Sequence, residues 1–253
     1  MSALARGAAP AWRAALAMTA MELRLALRRG ETLVATVVLP VVVLVFFSSV
    51  LVIPSGAGRP VDFLLPGSIA FAIIATSLVS LGITTAYDRH YGVLKRLGGS
   101  PLSRPELLAA KIGAVLVVEA VQVVLLVVVA AVGLGWEVPS GASAPLAIVA
   151  ALLGTLAFAG LGLLLAGILR AETMLAVANV LFVLSLVLGG IVVPVDHLPA
   201  PLAALAGALP AAALSEALRV ALGEAGGATG SLILLAGWGV SGVLLAARTF
   251  RWD

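Results

Sequence analysis

Cysteine is absent from the 253 residues, which excludes a disulfide framework and any thiolate metal site. Charge is scarce: Asp, Glu, Lys and Arg make up 11% of the chain, against about 25% in ordinary globular proteins. Aromatic residues are only 5%. Catalytic signatures are missing as well. No G-x-x-x-x-G-K-[ST] phosphate loop occurs, so nucleotide hydrolysis by that route is excluded. There is no H-E-x-x-H zinc pair and no G-x-S-x-G nucleophile elbow. With two histidines in all, His90 and His197, a histidine-rich metal site has no material.

What the chain has instead is apolar length. Hydrophobic residues are 62% and the mean hydropathy is +1.21. They fall in blocks of about 20 residues or more, the length that crosses a hydrocarbon core at about 1.5 Å per residue. Six spans are read, over residues 32–53, 63–86, 107–134, 145–169, 174–193 and 228–247. Backbone polar groups find no water in lipid, so these blocks are helices; a barrel would show alternating strands of about ten residues. The expected fold is an all-α integral membrane protein forming one transmembrane domain over 1–253. Pro40 is expected to kink the first span. No cleavable signal peptide is read, because the first apolar block starts near Thr32, behind five arginines.

The net charge of +3 and pI near 10.0 fit nucleic acid on paper, but in a membrane chain a basic excess reports topology. Arg6, Arg13, Arg24, Arg28 and Arg29 precede span one. Arg89, Lys95, Arg96, Arg104 and Lys111 lie between or beside spans two and three. Arg170 follows span four, and Arg248 and Arg251 follow span six. Of the 15 basic residues only Arg59 and Arg219 fall on the other side. Both termini are therefore expected in the cytoplasm, in a cell-membrane protein with no nucleic-acid partner. His90 and His197 lie on opposite sides and cannot share a metal.

Two segments are neither spans nor plain loops. In 11–29, Trp12, Leu16, Thr19, Leu23 and Leu27 share one helical face, with Arg13, Arg24 and Arg28 on its flank. That pattern suits a helix lying in the cytoplasmic interface; a soluble helix or basic leader is the other reading. In 194–227, Pro199, Pro201 and Pro210 break an apolar run into short helices around 202–209 and 211–222. Leu214, Leu218 and Leu222 form a stripe opposed by Ser215, Glu216 and Arg219. This reads as an outer re-entrant hairpin, or as an external cap on the spans.

Polar residues inside the spans are few. Glu119 and Gln122 share a face of span three, and Asn179 and Ser185 lie in span five. An ionisable residue deep in a membrane usually faces protein or water, so Glu119, Gln122 and Asn179 are candidates for a pathway or an interface. Glu119 also stands about 12 Å from Lys111 along the helix, which allows a shallow, hydrated position. Small residues gather in span four (Ala157, Ala159, Gly160, Gly162, Ala166, Gly167) and span six (Gly237, Gly239, Ser241, Gly242). They permit close packing, within one chain or between two. No internal repeat is visible, which argues against inverted-repeat transporters.

One stretch interrupts the hydrophobicity for longest: "YDRHYGVLKRLGGSPLSRPELLAAK", residues 87–111. Tyr87 to Leu97 can continue or re-form a helix just inside the membrane. Gly98-Gly99 stops it, Ser100-Pro101-Leu102 turns, and Ser103 with Glu106 has capping-box spacing for the start of span three. Tyr87, Tyr91, Leu94 and Leu97 give the segment an apolar side next to Arg89, Lys95 and Arg96. A helix resting on anionic lipid is the plainer alternative.

This stretch resembles the signature segment of ABC type-2 transporter permeases. Asp88, Arg89, Gly92, Leu94, Leu97, Ser100, Pro101, Ser103, Arg104, Glu106 and Lys111 match; His90-Tyr91 and Val93 depart from the commoner residues. The leader is similar to the family's elbow helix, "FLLPGSIAF" (63–71) to its start of span two, and "GGIVVPVDHLP" (189–199) to its outer re-entrant region. The chain looks most like drug, antibiotic and lipid exporters related to daunorubicin-resistance permeases.

The resemblance implies a permease subunit that is not itself an enzyme. ATP and Mg would be bound by a separate ATPase subunit, in an assembly of two permeases, paired or homodimeric, and two ATPases. Coupling segment 87–106 would then meet that ATPase through Asp88, Arg89, Tyr91, Gly92, Leu94, Lys95, Arg96 and Leu97. Ser100, Pro101, Ser103, Arg104, Glu106 and Lys111 would carry the movement into span three. Spans one, two and five would line the path. The expected cargo is a lipophilic compound moved outward. A glycan permease of the same fold, and a non-transport scaffold or intramembrane enzyme, are the alternatives.

Overall fold

The computed structural model describes residues 11–28, 30–50, 59–98 and 104–249; for 11–16, 26–28, 30–35, 97–98, 104–105 and 249 it describes the backbone alone. Helix follows helix, with no strand among the described residues. The order is α1 (Ala11–Arg28), α2 (Gly30–Val50), α3 (Pro60–His90), α4 (Val93–Gly98), α5 (Arg104–Val128), α6 (Ala144–Ile168), α7 (Ala171–Leu188), α8 (Ala200–Ala206), α9 (Pro210–Ala221) and α10 (Thr229–Thr249). Helices α2, α3, α5, α6, α7 and α10 correspond to spans one to six.

Five helices, α3, α5, α6, α7 and α10, are long and apolar enough to cross a membrane. In α2 the described apolar stretch is Thr36–Val50, and the helix continues through Pro40. The end of span one at 51–53 lies outside the described residues. Helices α8 and α9 form a bent pair at 79°, the geometry of a re-entrant hairpin or broken span. They start two residues and one residue earlier than the sequence suggested, because Pro201 and Pro210 each take a first-turn position, where a missing N–H costs nothing.

Two spans differ from their expected lengths. Span two runs to His90, four residues beyond 86, so the opening of the basic stretch is a continuation of that span. Midway it widens into a π-helical segment, Ala75–Ser80. Span five stops at Leu188 instead of 193: Gly190 adopts φ +64°, a left-handed conformation open to glycine, and turns the chain toward the hairpin.

Span two is the central helix. Leu64, Leu65, Ile73, Ile74 and Leu78 are fully buried, surrounded by spans one, three, four and five and by α9. Spans three, five and six keep most of their apolar surface outward, with Val121, Val124, Val180, Val183, Ile233 and Val240 exposed. In a bilayer such faces meet lipid or another helix without penalty. The small residues of spans four and six meet each other within this chain. A Cβ on Gly160 would stand 2.8 Å from the Val243 nitrogen, and one on Gly242 3.1 Å from the Gly160 carbonyl carbon.

The hairpin differs from its expected amphipathic layout. Leu214 and Leu218 are buried against spans two, four and six, yet Ser215 and Arg219 are buried too. Arg219 is aimed inward: it donates to the Gly190 carbonyl and stacks over Phe63 with its guanidinium 4.0 Å from the ring centroid. Only Glu216 of the supposed polar side faces out.

Candidate functional site

The basic stretch forms a corner where span two ends, and the corner is tied down from inside. Helix α3 ends as Tyr91 and Gly92 turn; Gly92 takes φ +69°, where a Cβ would be strained, and α4 begins at once. Of the stretch from Tyr87 to Leu97, the residues to His90 continue span two and a short helix re-forms from Val93, with the break at Tyr91–Gly92. A cation at one point and a carboxylate at the next explain how the end of span two is held. Lys111, about two turns into α5, is 2% exposed, and its Nζ sits 2.9 Å from Asp88 Oδ2 and 2.9 Å from Glu22 Oε1. A buried ammonium needs such partners, since burying an unpaired charge is prohibitively costly. The cluster joins α1, the end of span two and the start of span three. The Thr19 hydroxyl adds a second tie, donating to the Ala110 carbonyl at 3.3 Å.

Arg89 points elsewhere. Its guanidinium donates to the carbonyls of Gly167 and Leu169, the orphan acceptors where span four ends. Adjacent residues of the corner therefore hold different helices: Asp88 spans three and one's elbow, Arg89 span four. Beneath the corner Leu94 is fully buried in an apolar cluster with Met18, Leu81, Leu107, Leu108 and Leu163. Leu94 is accordingly the corner's anchor and presents no surface to a partner in this structure. What does face outward is Tyr91 (69% exposed), His90, Val93, Lys95 and Arg96. Tyr91 lies near-parallel to Tyr87, with ring centroids 6.0 Å apart.

Ser100, Pro101 and Ser103 lie outside the described residues, and with them the proposed cap on Glu106. Leu97 and Arg104 are described by backbone only, as parts of α4 and the first residue of α5; Glu106 is half-buried in the first turn of α5. In the elbow, the side chains of Trp12, Arg13, Leu16, Leu27 and Arg28 lie outside the described set, while Leu23 is half-buried and Arg24 exposed. Glu22 was the residue that sequence reasoning passed over. It is the one acidic residue in α1, and its isolation among arginines beside an apolar face was the available signal.

A family profile described as ABC-2 type transporter matches residues 13–222, from the elbow helix through α9. The chain belongs to the ABC-2 type transporter family. A search of curated proteins returns no match. Within this ABC-2 chain the matched region takes in the corner, its Lys111 cluster and the hairpin, and stops before span six.

The intramembrane polar residues of the ABC-2 chain separate into two kinds. Glu119 and Gln122 are buried in the protein, at 4% and 2% exposure. Gln122 donates to the Thr36 carbonyl of span one at 2.9 Å and accepts from the Thr76 hydroxyl of span two at 3.0 Å. Glu119 faces span four, where its Oε2 lies 2.5 Å from the Thr155 hydroxyl and its Oε1 has no partner. Thr155 also lies 2.9 Å from the Ala151 carbonyl. The Thr155 hydroxyl, with one hydrogen, thus has two acceptors to serve, the Glu119 carboxyl and its own helix. Asn179 is the other kind: exposed on span five, it donates to its own helix at Leu175 and meets neither Glu119 nor Gln122. No group of three potential metal ligands occurs among the described residues.

At the opposite end, the hairpin, the loop after span three and the start of span six enclose a half-open cavity of about 960 Å³. Phe63, Arg219, Glu216, Glu224 and Asp196 are in its wall. Arg59 beside it donates to the Leu134 and Gly135 carbonyls and so caps span three.

Proposed function

We propose that this chain, the membrane domain of an ABC-2 transporter, is the permease of an ATP-binding cassette exporter in the cytoplasmic membrane, with both termini inside. A separate ATPase subunit binds ATP and Mg and powers it, in an assembly of two permeases and two ATPases. The cargo is a lipophilic compound of the drug, antibiotic or lipid-like kind. The observation that carries the ATPase reading is the corner itself: an exposed, basic and aromatic tip on a base locked into four helices. A tip so built passes a push inward instead of absorbing it. Tyr91, Lys95 and Arg96 form the ATPase-facing surface; Asp88, Arg89, Gly92 and Leu94 set its position; Arg104, Glu106 and Lys111 lead into span three. Exposed apolar span faces would accommodate such a cargo as readily as they meet lipid.

The test is reconstitution with a co-encoded ATPase in liposomes holding a lipophilic fluorescent dye. The variant Lys95→Glu with Arg96→Glu, confined to exposed side chains, should lower permease-stimulated ATP hydrolysis about tenfold while the permease's own thermal stability stays unchanged. Unaltered stimulation would sink the ATPase-facing assignment. Coupled ATP hydrolysis with transport of a lipid-linked saccharide and none of the dye would replace the cargo with a glycan.

A further inference from the structure

Span two carries its only break from α-helical geometry at Ala75–Ser80, halfway between the hairpin end and the corner. A π segment closes its hydrogen bonds one residue further along than an α-helix. It therefore holds one surplus residue, and its return to α geometry turns the flanking halves by about 100° and shifts them by about 1.5 Å. The segment is wholly inside the protein at its start: Thr76 is 5% exposed, and Ser77 and Leu78 are fully buried. The Ser77 hydroxyl donates to the Ile73 carbonyl at 2.5 Å, occupying an acceptor at the mouth of the widened turn. Across from it, backbone approaches backbone, since a Cβ on Gly162 of span four would stand 3.0 Å from both the Ser77 and Leu78 carbonyl oxygens.

The side chain that grips this segment comes from span three. Gln122 receives the Thr76 hydroxyl on one side of its amide and donates to Thr36 of span one on the other. Both ends of the amide are used, and in lipid surroundings each such bond has no water to replace it. Below the π segment, Leu81–His90 ends in Asp88 and Arg89 and so belongs to the corner; above it, Pro60–Ile74 is packed against the hairpin. The other π segment, Val129–Gly133, sits at the exposed end of span three and divides nothing.

We propose that Ala75–Ser80 is a hinge within span two, and that Gln122 is the clasp that holds it in the observed setting. Releasing the clasp lets the corner half turn against the hairpin half. The hinge is a property of this chain alone; that an ATPase drives it rests on the function proposed above.

Because the chain has no cysteine, spin labels can be placed without background. Labels on His90 and Glu137, both exposed, report the corner half against the opposite end. Labels on Ala109 and Glu137 span α5 and serve as the reference pair. In nanodiscs, Gln122→Met should shift or at least double the width of the 90–137 distance distribution and leave 109–137 unchanged. Thr76→Val, which keeps volume and removes a single bond, should move it in the same direction, and the double variant should add nothing beyond Gln122→Met. No change in 90–137, or equal change in both pairs, overturns the hinge. A second arm, with the ATPase present, compares transport per ATP hydrolysed; a fall of about tenfold in Gln122→Met ties the hinge to coupling. A moving hinge with transport per ATP unchanged would refute the coupling role and leave the hinge standing.

Discussion

Lys111→Met is the sharpest test of how the corner is held. The side chain is 1% exposed, and both carboxylates it joins are within 2.9 Å of its Nζ, so Glu22 and Asp88 oxygens lie no further apart than about twice that. Methionine fills similar space but removes the cation, leaving two like charges facing each other. At about 6 Å and an effective dielectric near 20, their repulsion is about 3 kcal/mol. That agrees with the low end of the roughly 3–5 kcal/mol lost when one partner of a buried pair is deleted. The low end is appropriate because the carboxylates keep 14% and 15% of their surface exposed. For a chain of this size about 2–4 °C of Tm accompanies each kcal/mol, so the expected fall is about 6–12 °C. Thermal unfolding of the purified chain in one detergent reads this directly. Adding Glu22→Gln and Asp88→Asn to Lys111→Met should recover most of the loss, since a neutral set of similar volume has no charge left to compensate. A fall under about 2 °C for Lys111→Met, or a triple variant no better than the single one, would show that the cluster does not hold the corner.

Arg89→Met should cost about 1.5–3 kcal/mol by stranding the Gly167 and Leu169 carbonyls, and should raise amide hydrogen exchange in the last turn of span four. Gly160→Ala places a methyl 2.8 Å from backbone and should cost about 1–3 kcal/mol, read as lowered Tm; the same change at Gly237, where a Cβ meets open space, should leave Tm within about 1 °C. Glu119→Gln keeps an oxygen to accept from Thr155 and should leave Tm within about 2 °C, whereas Glu119→Lys should lower membrane insertion, measured by yield in the membrane fraction.

Much of the architecture was legible because lipid simplifies the problem: long apolar runs have one backbone solution, and hydropathy locates them. Spans three, four and six ended close to expectation for that reason. Span five did not, because 189–193 is apolar enough to continue a helix and only the conformation of Gly190 turns it away. Span two ran past its expected end because Tyr87 to His90 is polar but contains nothing that breaks a helix before Gly92. The site was less readable than the fold. Composition marked residues 87–111 as a surface, yet Asp88, Arg89 and Leu94 turn inward. Glu22, which shares Lys111 with Asp88, Gly167, which Arg89 holds, and Met18, which packs beside Leu94, are distant in sequence, and both of Arg89's acceptors are backbone atoms that carry no sequence signal. The π segment had no signature at all, since "ATSLVS" reads as ordinary helix.

The glycine seam between spans four and six has a consequence for motion. At Gly160 and Gly242 the two helices approach backbone to backbone, and there no side chain can change rotamer to let one slide past the other. Any relative displacement must first separate the pair. Spans four and six are therefore expected to travel together as one slab. Span four is also what Arg89 holds and what Gly162 presses against span two, so the central helix is seated on this slab at two points, the π segment and the corner. Span six, which the family profile does not reach, is half of that slab.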